Sequence, residues 1–150
     1  MRLTAYTDYA LRLLMYLAVA DGPATIGEIA ERFRVSRNHL MKIAFELGVA
    51  GYLETSRGRH GGLRLARAPA AIGLGEVIRA TEGTPRLVPC AAEHDRSCPL
   101  WQACVLRRVM EQAEAAFVGV LDGFTLADLA GPRGTLRSLL QIGESPAPPA

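Results

Sequence analysis

The chain has 150 residues, 49% of them hydrophobic and 21% charged, with a formal net charge of +2 and three cysteines. That apolar share excludes a disordered or low-complexity chain and suffices for one cooperative domain, or a small domain with a packing arm. No run approaches the roughly 20 apolar residues needed to span a bilayer, and the opening stretch lacks a signal-peptide core with a cleavage site. The expected compartment is therefore the cytoplasm, where thiols stay reduced and can serve as ligands.

The charge is unevenly placed. Residues 1–67 carry ten Lys or Arg against six Asp or Glu, whereas residues 68–150 carry seven against nine. Within 32–67 alone there are eight basic residues against two acidic ones. Basic charge gathered in one region is the electrostatic footprint of a polyanion-binding surface.

From Thr4 to Ala20, the residues Tyr6, Ala10, Leu13, Leu14 and Leu17 recur at helical spacing, and Asp21-Gly-Pro23 breaks the pattern. Thr25 to Glu28 matches a capping box that opens a short second helix with Ile26, Ile29, Ala30 and Phe33 inward. A turn at Arg34-Val35 leads to Ser36, placed to cap a third helix, SRNHLMKIAFELGVAG. Leu40, Ile43, Ala44 and Leu47 face inward there, while Arg37, Asn38, His39 and Lys42 lie outside. Two short helices joined in this way predict a helix-turn-helix. Tyr52 to Ser56 and Leu63 to Leu65 then read as strands joined by the basic, glycine-rich turn Arg57-Gly-Arg-His-Gly-Gly62. This hairpin completes a winged helix whose arginines suit a phosphate backbone.

Pro69 and Gly73 to Gly75 mark a boundary, followed by a short helix that ends at Gly83. A proline-broken loop carries Cys90, Cys98 and Cys104, spaced C-x7-C-x5-C. From about Leu100 to Phe124 a long helix is expected, with Leu106, Val109, Met110, Ala113, Phe117, Val120, Leu121 and Phe124 on one stripe. A head of 67 residues has little room to bury such a stripe, so we read it as a dimerisation helix. Thr125 can cap a last short turn through Leu129, and residues 132–150 are expected to form a disordered tail.

Three thiols cannot all pair within one chain, and thiolates are soft donors for zinc, copper(I) or iron–sulfur clusters. Zinc sites favour close C-x2–4-C knuckles, absent here, so gaps of seven and five point to a loop wrapped around a cluster. The fourth ligand stays open among His94, Asp95, Glu93 and Asp8, and Asp8 has an alternative partner in Arg12 four residues on.

MRLTAYTDYALRLLMYLA, the helix pair, RGRHGGLRLAR, GEVIRATEG and the clustered cysteines closely resemble the Rrf-two-type winged-helix regulators over roughly residues 1–130. The resemblance implies a mainly α fold with a small β-hairpin wing, and a cytoplasmic homodimer on double-stranded operator DNA. It is strongest to the branch of nitric-oxide-sensing repressors. There, nitric oxide attacks the cluster and relieves repression. A [4Fe–4S] cluster is favoured over [2Fe–2S]. The branch that senses iron–sulfur status is the alternative, but its ligand histidine, three residues after the third cysteine, is replaced by Arg107.

The nitric-oxide-sensing branch implies instead a carboxylate from the first helix of the partner chain, within YTDYALR. That places Asp8 with Cys90, Cys98 and Cys104 as iron ligands. The first cysteine gap is longer than the family's usual four or five residues. For DNA the expected contacts are Ser36, Arg37, Asn38, His39 and Lys42, the wing residues Arg57, Arg59 and His60, and Arg2 on the backbone. No phosphate-binding glycine loop, nucleophile elbow or paired carboxylates point to an enzyme. An iron–sulfur electron carrier leaves the basic wing unexplained, and a metal-free thiol switch is the remaining alternative.

Overall fold

The computed structural model describes residues 3–58, 61–83, 86–88 and 98–143. Helix α1 spans Ala5–Val19, with Thr4 at its N-cap accepting from the Thr7 amide. Its inner face buries Ala10, Leu13, Leu14 and Leu17, as the spacing predicts, together with Tyr16 and Val19. Helix α2 (Ile26–Phe33) opens with the expected capping box between Thr25 and Glu28. It ends on Arg34 in the left-handed conformation at φ 54°, the sharp turn that lets α3 (Arg37–Val49) cross it. Leu40, Ile43, Ala44 and Leu47 are buried on α1 and α2. These are the predicted inner positions.

Strands β1 (Leu53–Ser56) and β2 (Gly62–Leu65) pair antiparallel, Leu53 opposite Leu65 and Ser56 opposite Gly62. A third segment joins them through Ala24, which exchanges two backbone hydrogen bonds with Leu63 at 3.0 and 2.8 Å. A Cβ on Gly62 would lie 2.7 Å from the Ala24 carbonyl oxygen, so only glycine permits this close pairing. The unit is a winged helix.

Helix α4 (Leu74–Glu82) leads out of the wing, and α5 (Val105–Asp122) lies along it. At Gly75 they are in close contact, since a Cβ there would run into the Asp122 carboxylate. Arg79 closes the crossing with two hydrogen bonds to the Asp122 carboxylate, at 2.7 and 3.1 Å. Helix α6 (Leu126–Leu129) begins with a second capping box, Thr125 with Asp128.

Two expectations need correction. The long helix does not run unbroken from Leu100: a short 3₁₀ turn, Trp101–Ala103, comes first, and Cys104 interrupts with extended backbone as the N-cap of α5. The apolar stripe of α5, read from the sequence as a face for a second chain, is only partly covered within this one. Met110, Phe117 and Leu121 are partly covered, whereas Leu106, Val109, Ala113, Val120 and Phe124 remain exposed, because within the chain mainly α4 packs against this helix. Finally, residues 133–143 are not a structureless tail, since Arg133–Leu139 form a helix, α7. It docks across the end of α1: Arg133 donates to the Ala18 carbonyl at 3.1 Å and Arg137 to that of Val19 at 2.8 Å. Both arginines also pair with Asp21. Helix α1 has no basic residue in its own last turn, so the two guanidiniums supply the cations that its C-terminus favours.

Candidate nucleic-acid interface and metal centre

The outer face of α3 carries most of the predicted DNA contacts. Arg37, Asn38, His39 and Lys42 are all exposed there, in the first two turns. Ser36 sits at the N-cap, but its hydroxyl makes no capping bond and is exposed, which leaves it available to an incoming oxygen. Arg57 is exposed at the end of β1. Arg2, Arg59 and His60 lie outside the described residues. Lys42 stands 3.9 Å from Glu46 one turn on, a loose exposed pair that a phosphate can displace.

Helix α1 packs directly behind this face. The Tyr6 phenol is pushed up to about 12, first by burial and then by the Glu46 carboxylate of α3 beside it. Beside it, Ala5, Tyr6, Tyr9, His39, Lys42 and Ile43 line a cleft of about 230 Å³ between α1 and α3. The recognition surface is thus seated on the N-terminal half of α1.

Asp8 occupies that same half of α1. It is half-exposed and accepts from Arg12, with Nε to Oδ1 at 3.1 Å and Nη2 to Oδ2 at 3.0 Å. This is the surface ion pair that the spacing alone predicts. Both residues border an apolar cleft of about 430 Å³ formed with Leu11, Met15, Ile78 and Phe117.

The base of the cysteine loop is built from α5. Cys98 and Cys104 are half-buried free thiols, and Cys90 lies outside the described residues. The Cys104 sulfur accepts from the Arg107 amide at 3.4 Å, so the last thiol of the motif starts the helix. Arg107 lies 4.5 Å from the Trp101 ring and is bonded to Glu111 at 2.6 Å. Among the described residues of one chain, no three His, Cys, Asp or Glu side chains come together as a metal site. Two reduced, half-buried thiols beside a loop carrying the third are nonetheless the donor chemistry that a soft iron site requires.

Two positioning elements were not foreseen from the sequence. Glu114 of α5 is buried, and its carboxylate accepts from the Leu87 amide just before the loop, with Arg86 at 3.7 Å. The signal was legible: it is an acid on the otherwise apolar face of Met110, Phe117 and Leu121. On the same side of the loop, at the end of α4, Glu82 Oε1 accepts from the Thr4 amide at 2.6 Å and the Thr4 hydroxyl at 2.9 Å. The fully buried Thr7 donates to Thr81 at 3.0 Å. The end of α4 is therefore bonded to the first turn of α1.

A winged helix with a basic outer recognition face, an arm and an adjoining thiol loop defines a DNA-binding regulator. Residues 3–132 match the Rrf2 family, described as "Iron-dependent Transcriptional regulator", and the chain belongs to that family. It is 50% identical over 143 residues to the HTH-type transcriptional regulator NsrR of Geobacillus kaustophilus, covering 94% of this chain and 97% of the relative. It is 43% identical over 147 residues to NsrR of Bacillus subtilis, covering 96% and 100%. Among solved structures it is similar to IscR of T. potens, with a TM-score of 0.73 at 26% identity over 97% of this chain and 94% of the other. CymR, the global cysteine regulator of B. subtilis, gives a TM-score of 0.69 at 28% identity, covering 87% and 97%.

Proposed function

We propose that this regulator is a homodimeric repressor that releases operator DNA in response to nitric oxide, sensed at an iron–sulfur cluster. The observation that carries the reading is that the Asp8-bearing turn of α1 is bonded to the end of α4, which leads into the cysteine loop, and packs through Tyr6 against the recognition helix. Support comes also from the NsrR relatives. Residues 1–67 act as the reading head and 68–131 as the sensing and dimerising arm.

Cys90, Cys98 and Cys104 would hold the cluster, with Asp8 of the partner subunit as fourth ligand. When bound, the group supplies iron whose oxygen-ligated corner is open to a small diatomic ligand. The remaining parts belong to the chain itself. Glu114 and Glu82 fix the segment that leads into the loop, at Leu87 and at the end of α4, and the exposed Val105, Val109 and Val120 stripe of α5 meets its copy across the dimer. A displacement of α1 shifts α3 in each head. Two heads reading half-sites about 34–36 Å apart, or a multiple, tolerate little rotation.

The test is the absorption spectrum of anaerobically prepared protein before and after nitric oxide, for the parent and Asp8→Ala, alongside operator binding. The parent should be coloured, contain iron and sulfide, and lose DNA on exposure to nitric oxide. A colourless parent, or an Asp8→Ala variant with parental spectrum and response, overturns the cluster or the fourth ligand respectively.

A further inference from the structure

Helix α3 carries a line of apolar side chains that its core packing does not use. Met41, Phe45 and Val49 recur every four residues and are 48%, 72% and 76% exposed. One exposed apolar residue is ordinary, but three in a row on one helix form a patch that calls for an occupant. Seven residues separate Phe45 from Asn38, which leaves the two side chains about 20° apart around the helix and roughly 10 Å apart along it. Both oppose the buried face of Leu40, Ile43 and Leu47. The line is flanked by Arg37 and Lys42, so the surface is apolar along its ridge and cationic beside it.

That combination matches a major groove, where phosphates border a floor whose one apolar feature is the C5 methyl of thymine. We infer that Phe45 is a specificity-determining residue that packs on a thymine methyl, about three base pairs from the base faced by Asn38. The inference rests on the reading of α3 as the recognition helix and adds to it a base identity in each operator half-site. Polar contacts at the start of the helix set register, and the aromatic ring rejects cytosine and guanine at its own position by leaving them without a methyl partner.

The experiment uses the full-length dimer and duplexes recovered by selection from random DNA. Each thymine of the selected half-site is replaced in turn by deoxyuridine, which removes only the C5 methyl. Affinity is read by fluorescence anisotropy at fixed salt. At one position per half-site the replacement should weaken the parent about fourfold, the equivalent of one buried methylene. The same replacement should not change binding by Phe45→Ala, and selection with that variant should lose thymine there. Phe45→Leu, which retains an apolar contact, should keep part of the preference and confirms a folded head.

Uniform affinity across all deoxyuridine duplexes overturns the inference, as does an unchanged selected sequence for Phe45→Ala. A change in dimer dissociation without a change in base preference assigns the patch to protein contact and also overturns it. Failure of the underlying reading looks different: Asn38→Ala and Lys42→Ala would then leave DNA binding intact, and α3 would not be the reading helix at all.

Discussion

Glu82 and Thr4, 78 residues apart, are joined by two hydrogen bonds to one carboxylate oxygen, at 2.6 and 2.9 Å. The last turn of α4 thereby caps the first turn of α1, where the helix dipole favours a negative charge. Glu82→Ala should cost about 0.5–1 kcal/mol, the usual value of a lost cap. Its sharper signature is local: amides at the start of α1 should exchange hydrogen faster, while those of α2 keep their protection.

The same carboxylate gives the fold an acid limb. Burial raises the Glu82 carboxyl, but the neighbouring Thr7 hydroxyl and the hydrogen bonds from Thr4 outweigh it and hold it below its ordinary 4.5. Asp128 is likewise lowered by Thr125. Such groups stabilise the folded state above their unfolded pKa, and that contribution disappears as pH falls through the folded value. Thermal stability should therefore be flat above about pH 5 and decline below 4.5, with a shallower decline in Glu82→Gln. An equally steep acid limb in that variant would remove Glu82 from the account.

Arg12 pairs with Asp8 on the surface, and exposed pairs four residues apart are worth only about 0.3–0.5 kcal/mol. Arg12→Ala should barely move the melting temperature of cluster-free protein. On the proposed cluster reading, a change in the visible spectrum of cluster-loaded Arg12→Ala would then report on how Asp8 is oriented, separate from any effect on folding.

Arg137 closes the far end of α1 through the Val19 carbonyl, at 2.8 Å. Arg137→Ala should lower stability by about 1–2 kcal/mol, since a charged donor is lost from a half-buried acceptor. Truncation after Gly131 should cost more, because Arg133 is lost as well. Differential scanning calorimetry resolves both.

Arg57, exposed at the wing, is expected to touch phosphate. Arg57→Ala should weaken binding to all duplexes alike and reduce the slope of log K against log salt by about one. Loss of preference at a single base pair would instead place Arg57 on a base edge.

Local signals made the head legible. The Thr25 capping box, the inner faces of α1 and α3 and the glycine-rich wing all follow from spacing and turn chemistry, and each is present in the structure. Long-range polar contacts were not legible. Thr7 reads as an ordinary polar residue in an apolar helix, and only the arrival of Thr81 from α4 explains its burial. Helix α7 was missed for a related reason. Its short, arginine-bearing sequence has weak helical patterning, and it is held by carbonyls at the end of α1, 115 residues earlier. The stripe of α5 is legible too, although sequence periodicity does not say how much of a face one neighbour covers.

The crossing of α4 and α5 at Gly75, clasped by Arg79 and Asp122, fixes the angle between the helix bonded to the head and the helix that carries the exposed apolar stripe. In a two-headed reader that angle works like the hinge of a pair of calipers: it sets the span between the tips. In the proposed dimer, residues that touch neither base nor thiol then set which distance between half-sites is measured. A lineage could change its operators by altering this joint while leaving every reading side chain in place.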